Sequence, residues 1–149
     1  MSLENNISGK IIEAMKAKDS IRLEALRAVK SSILLMKTKD RNKVISESNE
    51  IQVLHKLVKQ RRDSASIFRE QNRNDLAEPE EIQARIISEF LPEQLSILEV
   101  EKVVMKVISQ ISADGMKDMG KVMGIVSNKL VGKADGKTIS NIVRQKLSN

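Results

Sequence analysis

IQVLHKLVKQRRDSASIF, residues 51–68, decides the fold. Ile51, Leu54, Val58, Arg61, Ala65 and Phe68 recur at intervals of 3, 4, 3, 4 and 3, the spacing of one face of an α-helix. Leu57 widens that face, and Arg61 is its one charged member. Ser46 or Ser48 supplies a cap ahead of it.

The same period extends in both directions. Upstream, Leu3, Ile7, Ile11 and Met15 repeat every four residues, with Ile12 and Ala14 alongside. Asp19-Ser20 then offers a stop and a new cap, and Leu26, Val29, Ile33 and Met36 form a second stripe. Thr38 to Ser46 is polar and charged and reads as a loop. Downstream, Asn72-Arg73-Asn74-Asp75 breaks the third helix, and Glu78-Pro79-Glu80-Glu81 reads as the start of a fourth. Ile82, Ile86, Ile87, Phe90 and Leu91 are its expected buried face, and Pro92 ends it.

Pro92 to Ser96 is the expected boundary, giving domains 1–93 and 94–149. Beyond it the texture changes, because five of the six glycines lie there. Val100, Val103, Val104, Val107, Ile108 and Ile111 predict a fifth helix that Asp114-Gly115 closes. Met119, Val122, Met123, Val126 and Leu130 predict a sixth, capped by Gly132. After the Asp135-Gly136 turn, Ile139, Ile142, Val143 and Leu147 predict a short seventh. The fold class is all-α: a bundle of four helices, then a small three-helix domain.

Composition narrows the function. The 149 residues are 40% hydrophobic, enough for a core, but hold two Phe and no Tyr or Trp. Recognition of nucleic acid by stacking bases on aromatic platforms is therefore excluded. No Cys and a single His exclude thiol chemistry, zinc fingers, iron–sulfur clusters and His-based triads. That histidine, His55, reads as a surface or part-buried helix residue. No apolar run is long enough for a membrane span, the first residues do not read as a secretory leader, and the absence of Cys fits a reducing compartment, so a cytoplasmic protein is expected.

The net charge is +6 and the pI near 9.6, suited to an anionic partner. Lys56, Lys59, Arg61, Arg62, Arg69 and Arg73 form one basic run, broken by Asp63 and Glu70, which reads as a salt-bridged helix face. From Gly115 to Asn149 the surplus is +5 in 35 residues: Lys117, Lys121, Lys129, Lys133, Lys137, Arg144 and Lys146 against Asp118 and Asp135. Lys117, Lys121, Lys133 and Lys137, with Arg144, are the candidate RNA-contacting residues. Lys117 and Lys121 share a face if the sixth helix has begun by Lys117, and both lysine pairs are expected near one end of the domain. Asp118 and Asp135 read as helix-start residues. Gly120 and Gly124 form a G-x-x-x-G whose favoured reading is close helix packing; close approach to a phosphate backbone is the other reading.

These motifs carry a resemblance over nearly the whole chain. Lys59-Gln60-Arg61-Arg62-Asp63-Ser64, Arg73-Asn74-Asp75-Leu76-Ala77-Glu78 and Phe90-Leu91-Pro92-Glu93-Gln94-Leu95 contribute. Asp118-Met119-Gly120-Lys121-Val122-Met123-Gly124, followed by Gly132-Lys133-Ala134-Asp135-Gly136-Lys137, contribute most. The chain resembles the YqeY-like proteins of the GatB/YqeY family, related to the tail of GatB, the B subunit of the glutamine-dependent aspartyl/glutamyl-tRNA amidotransferase. Two departures are mild: Asn72 stands where the family usually has Gly, and Phe90 where Tyr is common.

The resemblance implies two helical domains and tRNA as partner, since the matching tail is thought to hold the body of the tRNA. It places the kinase and transamidase chemistry in parts that this chain does not resemble. The residues themselves offer no phosphate-cradling loop after a strand, no carboxylate cluster for Mg²⁺ and no amidase Ser-Lys arrangement. No catalytic residue, metal or cofactor is therefore expected. The leading reading is a noncatalytic tRNA-binding accessory module. Two rivals stand beside it: a protein–protein adaptor using Met105, Met116, Met119 and Met123 as an adaptable groove, and a carbon–nitrogen ligase with glutamine as amido donor, which the family name suggests.

Overall fold

A computed structural model describes residues 2–39, 41 and 44–148. Among these the protein is all-α, with helices α1 (Leu3–Lys16), α2 (Ser20–Lys39), α3 (Glu47–Glu70), α4 (Asn74–Ser88), α5 (Ile97–Ile111), α6 (Met119–Lys129) and α7 (Gly136–Ser148), and a 3-10 turn at Met116–Asp118. The chain divides into two compact units, Met1–Leu91 and Pro92–Asn149.

In the first unit the caps follow the sequence closely. The Ser2 hydroxyl accepts from the Asn5 amide, and Asp19 accepts from the Arg22 amide at 3.1 Å. Ser46 rather than Ser48 caps α3, in a reciprocal box with Asn49. Asn72, with φ 59, takes the left-handed position after α3, a conformation that asparagine and glycine adopt more readily than other residues. Ile7, Leu26, Val29, Leu54 and Ile87 are fully buried at the centre.

Two boundaries and one buried position differ from expectation. Helix α2 continues through Thr38 and Lys39, where a loop was predicted; the Thr38 hydroxyl donates to the Leu35 carbonyl at 2.9 Å, and Lys37 and Lys39 suit the negative end of the helix dipole. The loop predicted over Asp40, Asn42 and Lys43 lies outside the described residues. Helix α4 begins at Asn74, one turn before the predicted start, and carries Pro79 inside it. Ala77, ahead of the proline, is buried and belongs to the helix, so the turn before Pro79 is helical as well. Met15, predicted for the buried stripe of α1, is 47% exposed, and Ala14 takes its place in the core.

The buried face of α3 carries Arg61, which has no carboxylate partner among the described residues. Its Nε donates to Oε1 of buried Gln83 on α4 at 3.0 Å, and its terminal nitrogen donates to the Leu57 carbonyl at 3.3 Å. Arg69 forks onto Glu81 at 2.6 and 3.1 Å, Arg73 onto Asp75, and Lys59 lies 3.8 Å from Asp63. The hydrogen bonds from Arg69 and Arg73 hold the Glu81 and Asp75 carboxyls below the usual carboxylate range. Half-buried His55 has an Nε2 with no hydrogen-bond partner among the described residues.

In the second unit, Val100, Val104 and Val107 of α5 pack with Val122, Val126 and Leu130, and with Ile139, Ile142, Val143 and Leu147 of α7. Ser112, with φ 52, caps α5 in place of the predicted Asp114-Gly115. Gly132, with φ 77, takes the predicted left-handed position after α6. The Gln94 side chain donates to the Pro92 and Gly132 carbonyls, and the Leu95 amide donates to the Lys133 carbonyl at 2.9 Å. The Phe90–Leu95 motif thus ties the entry of this unit to the turn between α6 and α7.

Candidate nucleic-acid interface

The candidate basic residues all lie on the second unit and are all exposed. Lys117 sits in the 3-10 turn, because α6 begins only at Met119. The α-helical register expected between Lys117 and Lys121 is therefore absent. Lys117 lies 3.8 Å from the Asp114 carboxylate. Lys121, Lys133, Lys137 and Arg144 have no carboxylate within 4 Å among the described residues. The basic run of α3 contrasts with them, since most of its charges are engaged inside the first unit.

The two lysine pairs do not come to one end. The Ser148 hydroxyl reaches the Met116 sulfur at 3.6 Å, so the end of α7 returns to the 3-10 turn that precedes α6. Helices α6 and α7 are an antiparallel hairpin. Lys117, Lys121 and the last turns of α7, with Arg144, lie at one end; Lys133 and Lys137 lie at the other. The separation is about 16 Å, the rise of the 11 residues of α6. Lys137 and Arg144 are two turns apart on one face of α7, about 10 Å along its axis, with exposed Asn141 between them.

Between these ends runs the outer face of α6. Val122 and Val126 turn inward, which puts Gly120, Lys121, Gly124 and Asn128 on the solvent side. A Cβ placed on Gly120 or Gly124 would meet nothing within 4 Å. The helix-packing reading of this G-x-x-x-G is thereby overturned. The signal was in the sequence: a residue two places from a core valine lies about 200° round the helix, so the valine stripe had already directed the glycines outward.

The flanking motif residues set the backbone. Asp118 stands at the start of α6, as predicted, but its side chain makes no cap bond there; its carboxylate accepts from the Asp114 amide at 2.8 Å and fixes the loop before the helix. Gly115, with φ 73, sits in that loop in a conformation that disfavours other residues. Asp135 accepts from the Thr138 amide at 2.7 Å and so opens α7, as predicted. Gly136 is the first residue of α7. Of the methionines, Met119 and Met123 pack against the core, whereas Met105 and Met116 are exposed, so the four do not line one groove. Asn128 and Asn141, polar donors on the exposed faces, carry no sequence signature that separates them from ordinary surface residues.

A family model described as Yqey-like protein matches residues 4–147. The E subunit of the glutamyl-tRNA(Gln) amidotransferase of Thermococcus gammatolerans is 41% identical over 73 residues, which are 46% of this chain and 12% of that protein. The protein of the same name from Thermococcus sibiricus is 30% identical over 125 residues, 78% of this chain and 20% of that protein. A protein of Lachancea thermotolerans named altered inheritance of mitochondria protein 41, mitochondrial, is 34% identical over 86 residues, 58% of this chain and 46% of the relative. The chain thus spans a fifth or less of the amidotransferase proteins it matches. Among the described residues no helix is long and apolar enough to cross a membrane.

Proposed function

The chain belongs to the YqeY-like family, and from that membership we propose that it is a noncatalytic tRNA-binding accessory module whose second unit holds the RNA. Its relation to the amidotransferase proteins, whose name includes glutamyl-tRNA(Gln), supports tRNA as the ligand class. In this reading the module works in the cytoplasm and reads the RNA by shape and phosphate contacts, because the chain has no Tyr or Trp and only two Phe.

One observation carries the proposal: Gly120 and Gly124 face open solvent beside Lys121. A glycine within a helix costs about 1 kcal/mol relative to alanine. No packing among the described residues requires that cost at either position. A backbone stripped of side chains next to an unpaired lysine lets a phosphate or ribose approach α6 closely. Lys133, Lys137 and Arg144 add exposed positive charge on the connection and helix that follow. The testing experiment is a salt series of tRNA binding by the full chain: phosphate contacts make the logarithm of affinity fall linearly with the logarithm of salt, and apolar docking does not.

A further inference from the structure

A second surface, on the first unit, is independent of the tRNA reading. Helices α2 and α3 border a cleft of about 220 Å³. Leu35, Met36 and Lys39 line it from α2 and Val53, Lys56 and Leu57 from α3, with Ser32 and Gln60 completing the wall. Each trio spans one turn, so each helix offers apolar side chains with a lysine at the rim. Leu35 is 60% exposed although it lies on the cleft wall. No carboxylate lines the cleft among the described residues, and neither Lys39 nor Lys56 has an ion-pair partner there.

We propose that this cleft docks an acidic amphipathic helix of a partner protein, whose apolar face enters between α2 and α3 and whose Asp or Glu side chains meet Lys39 and Lys56. The volume selects the kind of occupant. It lies below the roughly 300–1,000 Å³ of pockets that enclose a whole small molecule, and suits side chains inserted from a larger partner. The shape selects a helix, because a groove between two helices accepts apolar anchors at i, i+3, i+4 and i+7. The charge selects its sequence: two unpaired lysines flanking an apolar floor favour an acidic flank and reject a basic one.

The test uses the full chain and a displayed library of four-turn helical peptides. Leu is fixed at i, i+3, i+4 and i+7, and flanking positions are drawn from Glu, Lys, Gln and Ser. Selection on the unaltered protein should enrich Glu over Lys beside the anchors by about tenfold or more. Leu35→Glu should abolish enrichment. Lys39→Glu with Lys56→Glu should reverse it toward Lys, a change that misfolding cannot produce. All three positions are exposed, and circular dichroism confirms folding of each variant. Enrichment that survives Leu35→Glu, no enrichment above the starting library, or displacement of the selected peptide by a short single-stranded RNA would overturn the proposal. The last outcome would assign the cleft to nucleic acid.

Discussion

Arg61 and Gln83 join α3 to α4 through a hydrogen bond of 3.0 Å at a place where the helical stripe alone calls for an apolar residue. Gln83 is 6% exposed, so its amide oxygen has exchanged water for this guanidinium. Replacing Arg61 by Met leaves that oxygen buried without its donor, which costs about 1–3 kcal/mol. The double variant Arg61→Met with Gln83→Leu should recover much of the loss, because both polar partners then leave together. Urea denaturation of both variants measures this; Arg61→Met as stable as the parent would refute the account of the pair.

Gly120→Ala and Gly124→Ala should move stability and binding in opposite directions. Both glycines have open space for a Cβ and no positive φ, so each substitution should stabilise by about 0.4–1 kcal/mol. Both should weaken tRNA binding if a phosphate or ribose lies against this face. Thermal melts and filter binding on the same samples check the pair of effects. A gain in stability with unchanged affinity would leave the glycines without a binding role.

Much of this could be read in advance, and the rest fails for definable reasons. The stripes of α2, α5, α6 and α7 follow directly from apolar spacing, because period 3.6 assigns residues to faces. The start of α4 reads one turn late, since Pro79 is a local signal for a first turn and the burial of Ala77 ahead of it is a property of packing. Arg61 stood out on its stripe, but its partner lies 22 positions away and no motif joins them. The expectation that Lys121 and Lys137 meet at one end overlooked what a six-residue connection between α6 and α7 imposes: a hairpin, with the two lysines toward opposite ends.

Acid should weaken the first unit in part through Glu81. Its carboxyl is held below the ordinary value by the Arg69 hydrogen bond, so its contribution is present above about pH 4.3 and lost as the pH falls through the lower, folded-state value. Glu50 runs the other way: burial raises its pKa and Glu47 adds to the rise. The difference between the parent and Glu81→Gln is therefore the measure, not the raw slope. Thermal midpoints from about pH 6 to about pH 3 should converge for the two proteins as the pH falls. A constant gap would remove Glu81 from the explanation.

The accessory-module reading predicts no glutamine- and ATP-dependent amidation by this chain. Mischarged tRNA incubated with ATP, Mg²⁺, glutamine and the purified protein should give no amidated product above a buffer blank. The chain aligns with a fifth or less of the Thermococcus amidotransferase proteins, and among its described residues no three His, Asp or Glu side chains are grouped as metal ligands. Product that disappears with a point substitution in this chain would establish the ligase reading instead.

The most direct measurement is the salt dependence of tRNA binding for Lys121→Glu with Lys137→Glu, beside the control Lys56→Glu with Lys59→Glu. The first pair removes one unpaired lysine toward each end of the α6–α7 hairpin; the second reverses charge on α3, where Lys59 already lies near Asp63. With helical content unchanged in all proteins, the hairpin pair should weaken binding across tRNA sequences and flatten the salt slope by about one unit for each phosphate the protein no longer neutralises. The control pair should change binding less. A larger effect of the α3 pair, or no tRNA binding by the unaltered protein at low salt, would contradict the assignment of RNA binding to this hairpin.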